Sequence, residues 1–197
     1  MPCSSLLPPL PTSKPSPASP KPSNKPSIAT TSTPSPKPIA PEPGINLRTA
    51  KADYTKLRDL LAAQKWKEAD RETAERMLQV AGREKEGWLD SESIEQFPCE
   101  DLRTIDRLWV KYSNGHFGFS VQKKIWQQVG GKVDLETEKK LGDKLGWRVN
   151  GSWKNYDELT FTLTGETPLG HLPFCWGVLL LVAYSFVVFS RAKMCEL

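Results

Sequence analysis

The stretch that leaves this chain least freedom runs from Leu108 to Trp126, LWVKYSNGHFGFSVQKKIW. Ahead of and into it Leu102, Ile105, Leu108, Trp109 and Tyr112 recur at helical spacing, so an amphipathic helix enters from the front. Behind it Val121, Ile125 and Val129 recur in the same way, with Ser120 placed to cap a helix over 121–129 and Gly130-Gly131 to end it. Between the two helices stands an Asn114-Gly115 turn, whose residues tolerate positive φ. Gly118 separates Phe117 from Phe119 and lets the backbone run close to whatever those rings cover. The residues alone leave two readings of the phenylalanines: ordinary core packing, or the wall of a pocket for a flat apolar ligand.

Helical periods recur on both sides. Leu57, Leu60 and Leu61 mark a helix from Asp53 to about Gln64, and a second starts at Trp66, with Ala69, Thr73, Met77 and Val80 on one face and Gly82 at its C′ position. The two form an antiparallel hairpin. Glu68, Asp70 and Glu72, adjacent on an early turn, read as a solvated face rather than a catalytic cluster. Asp90 or Ser91 caps a short helix over 92–96, which Phe97-Pro98-Cys99 breaks. Asp101 and Asp106 lie on the next helix, Asp101 near its N-terminus, and neither has the histidine or second acid that acid–base catalysis needs. Asp134 caps a further helix closed by Gly146. Trp147, Trp153 and Tyr156 then cluster around Asn150-Gly151, a dipeptide suited to a hairpin, and Thr160–Thr164 reads as a short extended piece.

Residues 1–44 carry fourteen of the seventeen prolines, with Ser, Thr and Lys between them. Proline removes donors and the stretch has too little apolar surface to offset ordering entropy, so disorder is expected. Two roles fit it, an interdomain linker or a targeting (transit) segment. Proline content and lysines in place of arginines favour the linker. The net charge of +4 is uneven: Lys14, Lys21, Lys25 and Lys37 against Glu42 leave residues 45–197 nearly neutral. Nothing there tracks a phosphate backbone, so nucleic acid is excluded as a partner. The four cysteines are widely spaced, which favours free thiols in a reducing compartment over a disulfide framework or zinc site. His116 and His171 are the two histidines, and no nucleophile–base pair or metal set is visible, so an enzyme is not expected. The apolar run Phe174–Phe189 is shorter than the roughly 20 residues of a membrane span; a buried terminal helix is the preferred reading and peripheral membrane contact the alternative.

The blocks FPCEDLRTIDRLWVKYSNG (97–115), Phe117–Gln122, Gly146-Trp147-Arg148 and Gly170-His171-Leu172-Pro173 occur in order, and over about Tyr54 to Pro173 the chain resembles the Genomes Uncoupled Four family. The resemblance implies a small all-helical protein that binds porphyrins and, in oxygenic phototrophs, stimulates magnesium chelatase in chlorophyll synthesis. It raises the pocket reading of Phe117 and Phe119 and supports the linker reading of 1–44. It suggests an irregular loop at Asn150-Gly151, places Tyr156 at the porphyrin mouth, and makes Ala69, Asp70 and Thr73 structural. The chain departs from the family at His116, expected to be exposed. It also lacks the arginines of the last helix that suit porphyrin propionates, keeping only Arg191 and Lys193.

Period and resemblance together predict an all-α bundle of about seven or eight short helices over 45–197, behind a disordered 1–44. The expected ligand is protoporphyrin IX or Mg-protoporphyrin IX, and the expected protein partner is a magnesium chelatase subunit. A porphyrin is a rigid apolar disc with two carboxylates on one edge, so it needs an apolar wall and rim cations. Phe117, Phe119, Tyr156, Leu172 and Pro173 are the candidate wall; Lys123, Lys124 and Arg148 are the candidate cations. The expected location is the cyanobacterial cytoplasm or the plastid stroma. The competing reading is an adaptor that keeps the scaffold without the ligand.

Overall fold

The computed structural model of the chain describes residues 44–175 and 183–197. All of the expected disordered segment 1–44 but Gly44, Cys3 with it, and the middle of the 174–189 run therefore lie outside the described residues.

Helix α1 (Thr55–Ala62) turns Leu57 and Leu61 inward. After a short turn α2 (Trp66–Ala81) buries Trp66, Ala69, Thr73, Met77 and Val80, and Gly82 ends it in the left-handed conformation at φ 68°. Asp90 caps α3 (Ser91–Glu95) by accepting the Ser93 N–H at 2.8 Å. The apolar stripe of α4 (Cys99–Tyr112) lies inside, and its Asp101 is buried too, taking hydrogen bonds from the Tyr54 hydroxyl at 2.8 Å and the Thr49 hydroxyl at 2.6 Å. Asp101 thus anchors the segment before α1.

The turn from α4 into α5 (Phe119–Gln128) differs from expectation at its cap. Gly118, at φ 133°, occupies the N-cap position, while the Ser120 N–H donates to Asp106 Oδ1 at 2.8 Å. The reason is close approach. A Cβ on Gly118 would lie 2.8 Å from Val110 Cγ2 and 2.9 Å from Asp106 Oδ1, so only glycine lets α5 start against α4.

Asp134 caps α6 (Leu135–Leu145) through the Thr137 N–H, and Gly146 closes it at φ 70°. Asn150-Gly151 then forms a true hairpin, not an irregular loop: β1 (Arg148–Val149) pairs antiparallel with β2 (Ser152–Trp153). Both turn residues have positive φ, 50° and 85°, the requirement of a two-residue turn whose twist matches its strands. Thr160–Thr164 is no strand, because the Thr167 hydroxyl donates to the Thr162 carbonyl at 2.9 Å and accepts the Thr164 N–H at 3.2 Å, folding the segment on itself. One 3-10 turn, Tyr156–Glu158, precedes it.

The main core centres on Trp66, Trp109 and Phe117, with Phe117 edge-on to Trp66 at 5.4 Å and to Trp109 at 6.2 Å. The Trp109 indole N–H reaches the Thr73 hydroxyl at 3.0 Å, so the buried donor is satisfied. A second cluster joins α5, α6 and α7 (Ala183–Met194) through Ile125, Leu145, Trp147 and Phe189. Helix α7 packs against α3 and α5. Seating it brings Cys195 against Cys99, and the two form a disulfide across 96 residues of sequence. The expectation of free thiols is thereby corrected for this pair: spacing along the chain carries no sign of a contact that tertiary packing makes. Cys175 remains a buried free thiol. No helix among the described residues is long and apolar enough to cross a membrane.

Candidate functional site

The site is built outward from one buried carboxylate. Asp70 lies one turn after Trp66 and one turn before Thr73, so it falls on the inward stripe of α2. It is 1 % exposed, and the solvated reading of these acids is corrected for it and for Glu72, also buried. Glu72 is paired with the Lys56 ammonium and with Arg76 Nε at 3.2 Å; Glu68 is the exposed member of the three. Asp70 Oδ1 accepts the backbone N–H groups of Phe174 at 2.6 Å and Cys175 at 3.1 Å, and Oδ2 accepts the Tyr156 hydroxyl at 3.1 Å. Burial pushes its pKa up to about 6 despite these three donors. The Tyr156 hydroxyl is pushed well above the usual phenol range, first by burial and then by the adjacent Asp70 charge.

One carboxylate therefore ties α2 to two distant segments, each of which carries a half-buried aromatic ring. The Tyr156 and Phe161 rings meet at 5.1 Å, tilted 57°, and half-buried Phe174 stands edge-on to Trp147 at 4.8 Å. Lys67 holds its ammonium 5.5 Å over the Tyr156 ring and 5.3 Å over Phe161, and pairs with Asp157 at 2.8 Å. Exposed Arg71 lies one residue from Asp70, and its charge acts on both Asp70 and Tyr156. A half-exposed aromatic face with cations at its edge suits an apolar disc bearing carboxylates.

The residues expected at the site are distributed as follows. Tyr156 is in this surface. Phe117 and Phe119 are wholly buried in the core, 0 % and 2 % exposed. Leu172 and Pro173 are buried as well, held by the Gly118 N–H on the Leu172 carbonyl at 3.0 Å and by Gln122 Nε2 on the Gly170 and Pro173 carbonyls at 2.9 and 2.8 Å. Arg148 is bound to Asp143 at 3.1 Å. Lys123 donates to the Leu197 carbonyl oxygen, and Lys124 lines a separate cleft beside α4.

Both histidines are structural in their contacts. His116 is half-buried rather than exposed, its Nε2 donating to the Thr167 carbonyl at 2.7 Å and its ring edge-on to Phe117 at 5.1 Å. His171 is fully buried: Nδ1–H donates to the Leu145 carbonyl at 2.6 Å and Nε2 accepts the Thr160 N–H at 3.1 Å, which defines a neutral tautomer. Burial lowers its pKa accordingly. Among the described residues no group of three His, Cys, Asp or Glu side chains is placed to hold a metal.

Sequence reading misses Lys67, Phe161 and Phe174, and it makes Asp70 structural only through the resemblance, without its bonds to Tyr156 and Phe174. For Asp70 a signal exists: its four-residue offset from Trp66 puts a carboxylate on an apolar stripe, where a charge needs a dedicated partner. For Phe161 and Phe174 no local pattern distinguishes a wall from a loop.

A family profile described as GUN4-like matches residues 48–185. Among curated proteins, a Ycf53-like protein of Synechocystis sp. is 37% identical over 123 residues, covering 61% of this chain and 50% of the relative. The Tetrapyrrole-binding protein, chloroplastic, of Arabidopsis thaliana is 37% identical over 125 residues, 59% of this chain and 46% of the relative. The chain thus spans about half the length of the curated relatives it matches. The ligand-free structure of Arabidopsis thaliana GUN4 superposes with a TM-score of 0.58 at 31% identity, over 70% of this chain and 92% of that one. The structure of GUN4 from Chlamydomonas reinhardtii gives 0.61 at 29% identity, over 73% and 92%. With the mostly helical fold and the match over 48–185 in agreement, the chain belongs to the GUN4-like family.

Proposed function

We propose that this chain binds a tetrapyrrole on the Tyr156, Phe161 and Phe174 face, with Lys67 and Arg71 meeting the carboxylates, and acts as a carrier or sensor rather than a catalyst. The observation that carries the reading is the joint one on Asp70. A single buried carboxylate holds Tyr156 and the Phe174 backbone in one surface beside two cations. An apolar disc laid on such a face is stabilised by about 2.5 kcal/mol per 100 Å² of apolar surface covered, and the cations orient its acidic edge. Membership in the family and the name of the Arabidopsis relative support the same ligand class. In this reading Phe117, Phe119, Leu172 and Pro173 hold the wall from beneath. Lys123, Lys124 and Arg148 contribute positive potential. Protoporphyrin IX or Mg-protoporphyrin IX is the proposed ligand, a magnesium chelatase subunit the proposed partner, and a cyanobacterial cytoplasm or plastid stroma the proposed location.

The adaptor reading has one observation in its favour. Arg191, an arginine of the last helix, is engaged structurally, its Nε donating to the Phe97 carbonyl at 2.8 Å. Titration decides between them. Tryptophan quenching of the whole chain by each porphyrin is expected to saturate, and Tyr156→Ala with Phe161→Ala is expected to weaken it about tenfold or more. A folded wild-type chain without saturable quenching would refute the porphyrin reading and leave the adaptor reading standing. Saturable binding that the double variant leaves unchanged would move the ligand off this face.

A further inference from the structure

A second cleft, of about 430 Å³, lies between α4, the start of α5, the segment before α1 and the tail after α7, and shares no residue with the aromatic face. Arg103, Arg107, Lys111 and Lys124 line it together with the apolar side chains of Ile45 and Val110. Arg103 and Arg107 each direct a donor to a backbone carbonyl, of Cys195 at 2.8 Å and of Gly44 at 3.3 Å, and a guanidinium has five donors to give. Lys111 also lies 5.6 Å from the Tyr112 ring. Of the two acidic side chains in the lining, Asp106 is buried and accepts the Ser120 N–H, which leaves Glu196 as the exposed one; the backbone oxygen of Leu197, also in the lining, is taken by the Lys123 ammonium. Four cations around an apolar floor in a region whose net charge is otherwise near zero is a concentrated positive site.

The spacing narrows the occupant. Arg103, Arg107 and Lys111 follow at i, i+4 and i+8 on one helix, so successive cations rise by about 6 Å. Alternate side chains of an extended peptide repeat at about 6.6 Å on one face. We propose that this cleft docks an extended acidic segment of a partner protein, with carboxylates at alternate positions along α4 and an intervening apolar side chain turned away from α4 toward the Ile45 wall. The tail wall is fastened by the Cys99–Cys195 disulfide, and the Lys123 bond to the Leu197 carbonyl holds its end, so the cleft is a preformed one.

Fluorescence anisotropy of a fluorescein-labelled Glu-Leu-Glu-Leu-Glu peptide with the full chain tests this, starting at low salt, about 50 mM, where screening is weak. Arg107→Glu with Lys124→Glu is expected to weaken binding about tenfold or more, while Lys132→Glu with Lys139→Glu, the same charge change outside the cleft, costs less than about twofold. A peptide with glycine in place of leucine is expected to bind about fivefold more weakly, because the Ile45 wall then loses its contact. Absence of saturable binding, equal losses from the two charge reversals, or equal binding of the leucine and glycine peptides would each overturn the proposal. Circular dichroism checks the fold of each variant. The leucine and glycine comparison needs only the wild-type chain and stands if a variant misfolds.

Discussion

Asp70→Asn isolates the electrostatic cost of the carboxylate on which the aromatic face is built. The amide side chain keeps an oxygen for the Phe174 and Cys175 N–H groups and offers an N–H to the Tyr156 oxygen, so the three contacts survive in altered polarity. It cannot ionise. In the folded wild type the Asp70 pKa is raised from 3.8 to about 6, so between those values the native state holds a proton that the unfolded chain has released. The unfolded state then binds fewer protons, and stability falls as pH rises through that window. At 1.36 kcal/mol per pH unit the loss amounts to about 3 kcal/mol, complete above the folded pKa. His171 has the opposite sign, its lowered pKa removing stability as pH falls, but it is common to both chains and cancels in the difference. Urea unfolding followed by tryptophan fluorescence, run on both chains from about pH 4 to about pH 7, should show the variant gaining about 2.4 kcal/mol on the wild type, because part of the loss already lies below pH 4. A difference constant within about 0.5 kcal/mol over that range would mean that Asp70 titrates alike in both states, and the burial argument would be refuted.

Three further outcomes follow from the packing. Phe117→Ala, which empties a site enclosed by Trp66 and Trp109, should cost about 3–5 kcal/mol in chemical denaturation; a loss near zero would place that ring at the surface. Gly118→Ala should cost about 2 kcal/mol or more, since φ 133° disfavours a side chain and the new Cβ meets Val110 and Asp106; unchanged stability would mean that α5 shifts freely on α4. Cys99→Ser with Cys195→Ser opens a 96-residue connection and should cost about 2–5 kcal/mol relative to the oxidised wild type, and reduction of the wild type should reproduce it. Equal melting of oxidised and reduced wild type would remove the bond from the native state.

The helices and their ends were readable because their causes are local. Apolar residues at helical spacing, Asp90 and Asp134 at N-caps, and Gly82 and Gly146 at positive φ act within a few residues of where they stand. The cap of α5 was misread for the converse reason: Ser120 has the right chemistry for a cap, but the contact between Gly118 and α4 decides where that helix starts. The hairpin at Asn150-Gly151 was one of two open readings, and turn chemistry proved the better guide there than resemblance.

The chain's own residues determined the helical class, the element order, the near-neutral charge of residues 45–197 and the family, all of which rest on short-range pattern or on blocks of identity. What only the tertiary structure decided is which polar groups and rings ended up inside. Asp70 meets Tyr156 and Phe174 from 86 and 104 residues away, and Cys99 meets Cys195 from 96. Phe117 and Phe119 lie under the surface rather than on it. Burial of a carboxylate or a ring depends on which distant segment covers it, and that cover is set by the packing of the whole chain rather than by any neighbour in sequence.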